Sequence, residues 1–388
     1  MLRVVSIFLF SLFIFACSSN ETKDEREEKK EERKATELES FDKSVKAKRL
    51  WKAGAGEGDG RKYLRLAPSV FGDVIYTTDS DGVVRAFSLA DGKRRWKTDT
   101  NAEVSGGVGA YLDTVAVGTF DGKVIALSAD SGDVRWEAQT SSEILAVPAV
   151  SATLVVVQTI DARVFAFDSK SGELRWSYDH LTPVLSLRGT SSPLINGNQV
   201  ICAFDNGQII SFSLIDGSRT WEARVSHPKG KTDLERIVDI DGTPAVKNGL
   251  VYSGSYQGNL FAFALAKGNP IWKQELSTYR ALSVSNGKVF VSTADSHVIA
   301  YNASNGDVVW KNEDLQYREI GAPTTVGRYV ATIDGDGYLH ILSQQDGQFV
   351  ERLKPAGDGF NAPMMTHLGK LYILSDDGKL SAYELSSR

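Results

Sequence analysis

From Ala67 to Thr98 four short runs follow one another: Pro68-Ser69-Val70-Phe71, Val74-Ile75-Tyr76-Thr77-Thr78, Val83-Val84-Arg85-Ala86-Phe87 and Arg94-Arg95-Trp96-Lys97. Runs rich in β-branched and aromatic residues and bounded by turn formers predict strands. Asp79-Ser80-Asp81-Gly82 separates the second run from the third, and Ala90-Asp91-Gly92 the third from the fourth. Asp-Gly and Asn-Gly pairs supply the positive φ values that tight hairpins require. The same turn returns at Asp121-Gly122, Asn206-Gly207, Asp336-Gly337 and Asp377-Gly378.

The pattern is one repeat. AFSLADGKRRW ends at Trp96, ALSADSGDVRW at Trp136, AFDSKSGELRW at Trp176, SFSLIDGSRTW at Trp221, AFALAKGNPIW at Trp272 and AYNASNGDVVW at Trp310. A related segment, HILSQQDGQFV, ends at Val350 without the tryptophan, which makes Val350 the expected weak contact of the series. Four-strand units of about 40 residues in series predict an all-β fold, a β-propeller. First strands begin near Ala67, Gly107, Val147, Ser192, Thr243, Leu282, Ala322 and Ala362, so the expected blade count is eight. The last unit stops after its third strand at Leu380–Leu385, and its fourth strand is expected from Arg49-Leu50-Trp51-Lys52. Closing the ring in this way removes exposed sheet edges. All seven tryptophans (Trp51 and the six above) then take a structural role, each wedged against the neighbouring blade. Truncating one to alanine is expected to cost about 3–5 kcal/mol.

The repeat breaks in two adjacent places. Successive tryptophans lie 45, 40, 40, 45, 51 and 38 residues apart, and the extra length falls between a fourth strand and the next first strand. The long loops that result share one face of the disc, and two of them, 177–190 and 222–242, are consecutive. The first carries Leu185, Leu187 and Arg188; the second carries Arg236, Asp239 and Asp241 around Ile237 and Ile240. An apolar anchor ringed by arginine and carboxylates suits a protein-binding hot spot. In the competing reading the leucines cap the core and Arg188 pairs internally with Asp239 or Asp241.

Ahead of the repeats, Arg3 precedes an apolar stretch, Val4–Phe15, too short to span a bilayer and of secretory-signal length. It ends at Ile14-Phe15-Ala16-Cys17, which resembles the lipobox of bacterial lipoproteins. The resemblance implies cleavage before Cys17, acylation (palmitate among the chains) of that residue, and, with Ser18 following, delivery to the outer membrane. An ordinary secretory signal with an incidental cysteine is the alternative. The expected division is a signal peptide at 1–16, a lipidated Cys17 with a charged tether to 45, and the propeller at 46–388. The tether includes EREEKKEERK, which cannot bury apolar area.

Composition mainly excludes. The net charge is −5 with no basic stripe, so nucleic acid is not an expected partner. The only cysteines are Cys17 and Cys202, and Cys202 sits in an apolar strand pattern that suits an inert thiol. The five histidines are scattered, Gly54–Gly60 lacks the Lys-Ser/Thr of a phosphate loop, and no metal or catalytic site is expected. Tryptophan-bearing eight-bladed propellers also resemble quinoprotein dehydrogenases, but this chain has neither their adjacent cysteine pair nor a spare tryptophan for the quinone. No cofactor and no catalysis are expected.

LSLRG at 185–189, ERIVDIDGTP at 235–244 and YQGNLFAF at 256–263 resemble the BamB family, propeller lipoproteins of the outer-membrane β-barrel assembly (BAM) complex. The resemblance spans all but the tether. It implies a monomeric, non-catalytic scaffold at the periplasmic face of the outer membrane. It also implies docking on the periplasmic POTRA domains of BamA through Leu185, Leu187, Arg188, Asp239 and Asp241, with the other lipoproteins of the complex met only indirectly. The alternative is a propeller that takes unfolded strands or cell-wall glycans in its channel, with Tyr63, Tyr279 and Tyr317 as candidate contacts.

Overall fold

The computed structural model describes residues 34–60, 62, 64, 66–180, 191–226 and 239–388. The chain divides into a short first unit, Met1–Ala35, and a second, Thr36–Arg388, which holds every described strand. These strands form eight four-stranded antiparallel sheets and, among the described residues, there is no helix. Blade 1 consists of Ser69–Phe71, Val74–Thr78, Val83–Ser88 and Arg94–Asp99, each pairing with the next. Blades 2 to 7 occupy 104–139, 149–179, 194–224, 245–276, 283–312 and 324–353 in the same order. Blade 8 takes its three inner strands from 365–387 and its outer strand, Val45–Gly54, from the other end of the chain. That strand pairs antiparallel with Lys379–Ser387, Trp51 lying opposite Ala382. The expected closure of the ring is therefore the observed one.

Packing follows from burial. The second and third strands of each blade are buried on both faces, and apolar clusters form between neighbouring sheets, such as Val84 and Ala86 of blade 1 with Val115 and Val117 of blade 2. Outer strands alternate instead, as in Val134–Gln139, where Trp136 and Ala138 turn inward and Arg135 and Glu137 face solvent. Charged outer strands protect an edge that would otherwise invite pairing.

Each tryptophan crosses to the next blade. Trp51, Trp96, Trp136, Trp176, Trp221, Trp272 and Trp310 donate their indole N–H to the carbonyls of Leu89, Ala129, Ser169, Leu214, Leu265, Ala303 and Gln344 at 2.7–3.1 Å. The ring faces of these indoles rest on Gly92, Gly132, Gly172, Gly217, Gly268, Gly306 and Gly347, all at φ between +70° and +79°. A β-carbon on any of these glycines would lie 2.6–2.7 Å from an indole carbon. The turn glycine thus serves twice, by its backbone conformation and by its missing side chain. Opposite each tryptophan, on its own blade's third strand, sits a small residue: Ala86, Ala126, Ala166, Ser211, Ala262, Ala300 or Ala382.

Blade 7 corrects the sequence alignment by one residue. Val350 lies at the register shift, and it is Glu351 that pairs with Ile341 in the place the tryptophans take opposite their small partners. Counting from the hairpin gives the same answer, since Glu351 follows Gly347 at the interval by which Trp96 follows Gly92. The larger Ile341 removes the space an indole needs.

Gly197, also at positive φ (+57°) but with open space around it, provides a control for these contacts. Gly197→Ala is expected to lower unfolding free energy by about 1–2 kcal/mol through backbone strain alone. Gly172→Ala should exceed that by about 2 kcal/mol because Trp136 must also move. Urea unfolding of the two variants measures the difference.

Candidate functional site

Connections between blades and turns between second and third strands emerge on one face, here the loop face. The two expected long connections, following blades 3 and 4, lie side by side on it, and the connection from the closing strand to blade 1 (55–68) matches the first of them in length. Residues 181–190 and 227–238 lie outside the described residues, and with them Leu185, Leu187 and Arg188; Cys17 and Tyr63 do also. The structure does describe where both loops begin and end.

The first loop leaves at His180, whose ring packs on Phe204 with centroids 4.3 Å apart and whose Nε2 lies 2.8 Å from Asn206 Nδ2. Burial pushes the imidazole pKa down, against the Asn206 and Gln208 bonds that raise it, so the neutral ring is favoured at pH 7. The loop returns at Ser191, whose hydroxyl donates to the Gly242 carbonyl at 3.4 Å. Gly242 ends the second loop, so the returns of both loops meet. The second loop leaves from Val225, whose amide donates to Gly207 O at 2.9 Å and whose carbonyl accepts from Asn259 Nδ2 at 3.1 Å. Asp239 O accepts the Tyr256 amide at 2.9 Å, and Ile240 is fully buried in the cluster that includes Trp221 and Phe263. The two candidate carboxylates accompany Ile240 inward. Asp239 is 0% and Asp241 8% exposed, and Asp241 lines the mouth of the central channel.

That mouth is a cavity of about 560 Å³. Its wall is largely apolar (Leu64, Val147, Phe360 and Met364 among others), with the charged residues Lys62, Asp241 and Arg280 also on it. Arg280 stacks over Tyr279, its guanidinium 4.7 Å from the ring centroid. Lys62 reaches Glu103 at 3.1 Å. Apart from Asp241 and the tyrosine, these residues were not singled out by sequence; their only signal is a position just ahead of a first strand. Cys202 is fully buried in a cluster with Phe204 and Phe212, and burial pushes its thiol well above the usual range, so it is not poised as a nucleophile. Among the described residues no three His, Cys, Asp or Glu side chains gather to hold a metal ion.

The profile of the family described as "Outer membrane protein assembly factor BamB" matches residues 80–312. The outer membrane protein assembly factor BamB of Pseudomonas aeruginosa is 40% identical over 98% of this chain and 98% of its own length. The chain belongs to the BamB family. BamB from Moraxella catarrhalis, a crystal structure, superposes with a TM-score of 0.77 at 30% identity, covering 88% of this chain and 99% of that one. Family membership thus rests on the whole propeller, loop face included. A quinohemoprotein alcohol dehydrogenase from Pseudomonas putida superposes with a TM-score of 0.69 at 14% identity over 88% of this chain and 76% of its own. That likeness is one of fold alone.

Beside the channel, Asp376 accepts the backbone and side-chain amides of Asn361 at 2.9 and 2.8 Å. Burial, opposed by the Asn361 amide and reinforced by Asp59, Asp377 and Asp358, pushes its carboxyl up to about 6. A raised carboxyl pKa favours the fold most below the unfolded value near 3.8 and loses that contribution as pH rises through about 6. Asp376→Asn is therefore expected to gain about 1 kcal/mol over the native chain near pH 7.5. The gain should shrink as pH falls towards 4, which thermal unfolding across pH checks.

Proposed function

We propose that this chain is a non-catalytic scaffold lipoprotein of the machinery that assembles β-barrel proteins in the outer membrane. In this reading acylated Cys17 holds the propeller at the periplasmic face. Loops 177–190 and 222–242 dock on the periplasmic POTRA domains of BamA, with Leu185 and Leu187 as anchors. Arg188, Asp239 and Asp241 supply the charged part of the contact.

The observation that carries the reading is the joined return of the two loops at Ser191 and Gly242, in a chain related over its whole length to outer membrane protein assembly factors. Two loops on one rigid base present a single surface and lose little entropy on binding. Tethering to the membrane raises the local concentration of propeller and partner. Charged residues in such a contact set partner choice and approach more than raw affinity.

A second reading is favoured by one observation, the apolar channel mouth with charged residues on its wall. There an unfolded strand or a glycan enters the channel directly. Capture of the isolated periplasmic region of BamA by the folded chain separates the two. The native chain is expected to bind at micromolar concentration, while Leu187→Ala and Arg188→Glu each weaken binding at least about tenfold, or about 1.4 kcal/mol. Leu368→Ser should bind as the native chain does; Leu368 is 86% exposed on a hairpin of the opposite face. Folded native chain that captures an unfolded barrel protein and not the POTRA region would favour the channel reading.

A further inference from the structure

Seven blade junctions share one device, an indole on a glycine, and the eighth has neither half of it. Glu351 stands at the tryptophan's place. The docking glycine follows the small third-strand residue by six positions, as Gly92 follows Ala86; six beyond Ala382 is Arg388, the last residue. These two substitutes meet, Arg388 Nη2 lying 3.3 Å from Glu351 Oε2. The other carboxylate oxygen is 2.7 Å from Lys43 Nζ and accepts the Arg352 amide at 2.9 Å. The Glu351 side chain is 6% exposed, against 40% for Lys43 and 50% for Arg388. One buried carboxylate thus holds a cation from each end of the chain.

Both cations are fixed in place. The Arg388 amide donates to Ser44 O and its Nε to Val45 O, each at 3.0 Å, at the start of the closing strand. Lys43 belongs to a segment, Thr36–Ser44, strapped along blade 7. The Thr36 amide donates to Gln316 O at 3.1 Å, and Arg318 Nη1 donates to Thr36 O at 2.9 Å. Leu38 packs into the cluster around Trp310, and Phe41 stacks on Phe349 at 5.5 Å. Arg352 lies 5.0 Å from both of those rings and donates to Glu39 O at 2.7 Å. The strap ends where the Ser44 amide donates to Val350 O at 3.2 Å.

We propose that Lys43, Glu351 and Arg388 form an ionic latch that closes the ring, making the junction of blades 7 and 8 the place where the propeller opens first. The latch ties blade 7 to both strands of the one blade built from both ends of the chain, so releasing it loosens that closing pair from blade 7. Its physics differs from that of the other junctions. Salt screens an ion pair with half-exposed cations, whereas an indole packed on a glycine holds no charge to screen. The latch is thus a built-in response to ionic surroundings, placed where the Thr36–Ser44 strap meets the closing strand.

Hydrogen–deuterium exchange on the full chain, solubilised in detergent, tests this strand by strand. Raising NaCl from about 0.05 to about 1 M is expected to speed exchange in Val45–Gly54 and Lys379–Ser387 about tenfold, while blade 2 stays unchanged. Glu351→Gln should show the fast exchange already at low salt and respond little to more. If that variant fails to fold, Arg388→Ala and the salt titration of the native chain decide the matter alone. Closing strands that ignore both salt and Arg388→Ala, or a loosening spread evenly around the ring, would overturn the proposal.

Discussion

A tight turn between two strands needs a positive φ, and a large aromatic ring needs a flat seat; in this protein the same glycine satisfies both. At seven junctions the hairpin glycine of one blade receives the indole of the blade before it, and the indole N–H is satisfied by a carbonyl three residues upstream of that glycine. The contact sets the spacing and tilt of adjacent sheets, and it explains the small residue opposite each tryptophan. Because blades 1 to 6 are each both seat and wedge, the geometry propagates around the disc. The loop face inherits its rigidity from that propagation.

Much of this was legible in the sequence because the device uses rare residue types at a fixed interval. Trp136, Gly172 and the Asp-Gly turns announce blade number, strand order and the closing strand at Trp51. The one error of register, Val350 for Glu351, came from aligning apolar residues where the glycine should have set the frame. A valine fits the expected chemistry of a wedge better than a glutamate does, and the strand pairing, in agreement with the count from Gly347, shows that the wedge had been exchanged for a charge. Arg388 and Lys43 carry no repeat signal at all, since each takes its role from meeting a residue more than 30 positions away.

The loop face was legible in a different sense. Lengthened connections gave the position of both loops, and the Ser191–Gly242 bond shows their returns joined. The inward turn of Asp239 and Asp241 was not readable, because an Ile-Asp alternation looks the same whether the carboxylates or Ile240 face solvent. Burying Ile240 in the cluster with Trp221 decides it, taking the aspartates down with the backbone. The channel residues Arg280 and Lys62 escaped notice because single charged residues before a strand have no period to break.

Rigid ring, paired loops and family together make contact with a protein partner the central claim, and photo-cross-linking in living cells tests it most directly. A photoreactive residue placed at position 187 samples the loop face, and one at position 368 the opposite face. The expected result is a cross-link from 187 to the periplasmic region of BamA and none from 368. Cross-links to BamA from 368 alone, or from neither position in a folded and correctly located protein, would contradict the claim.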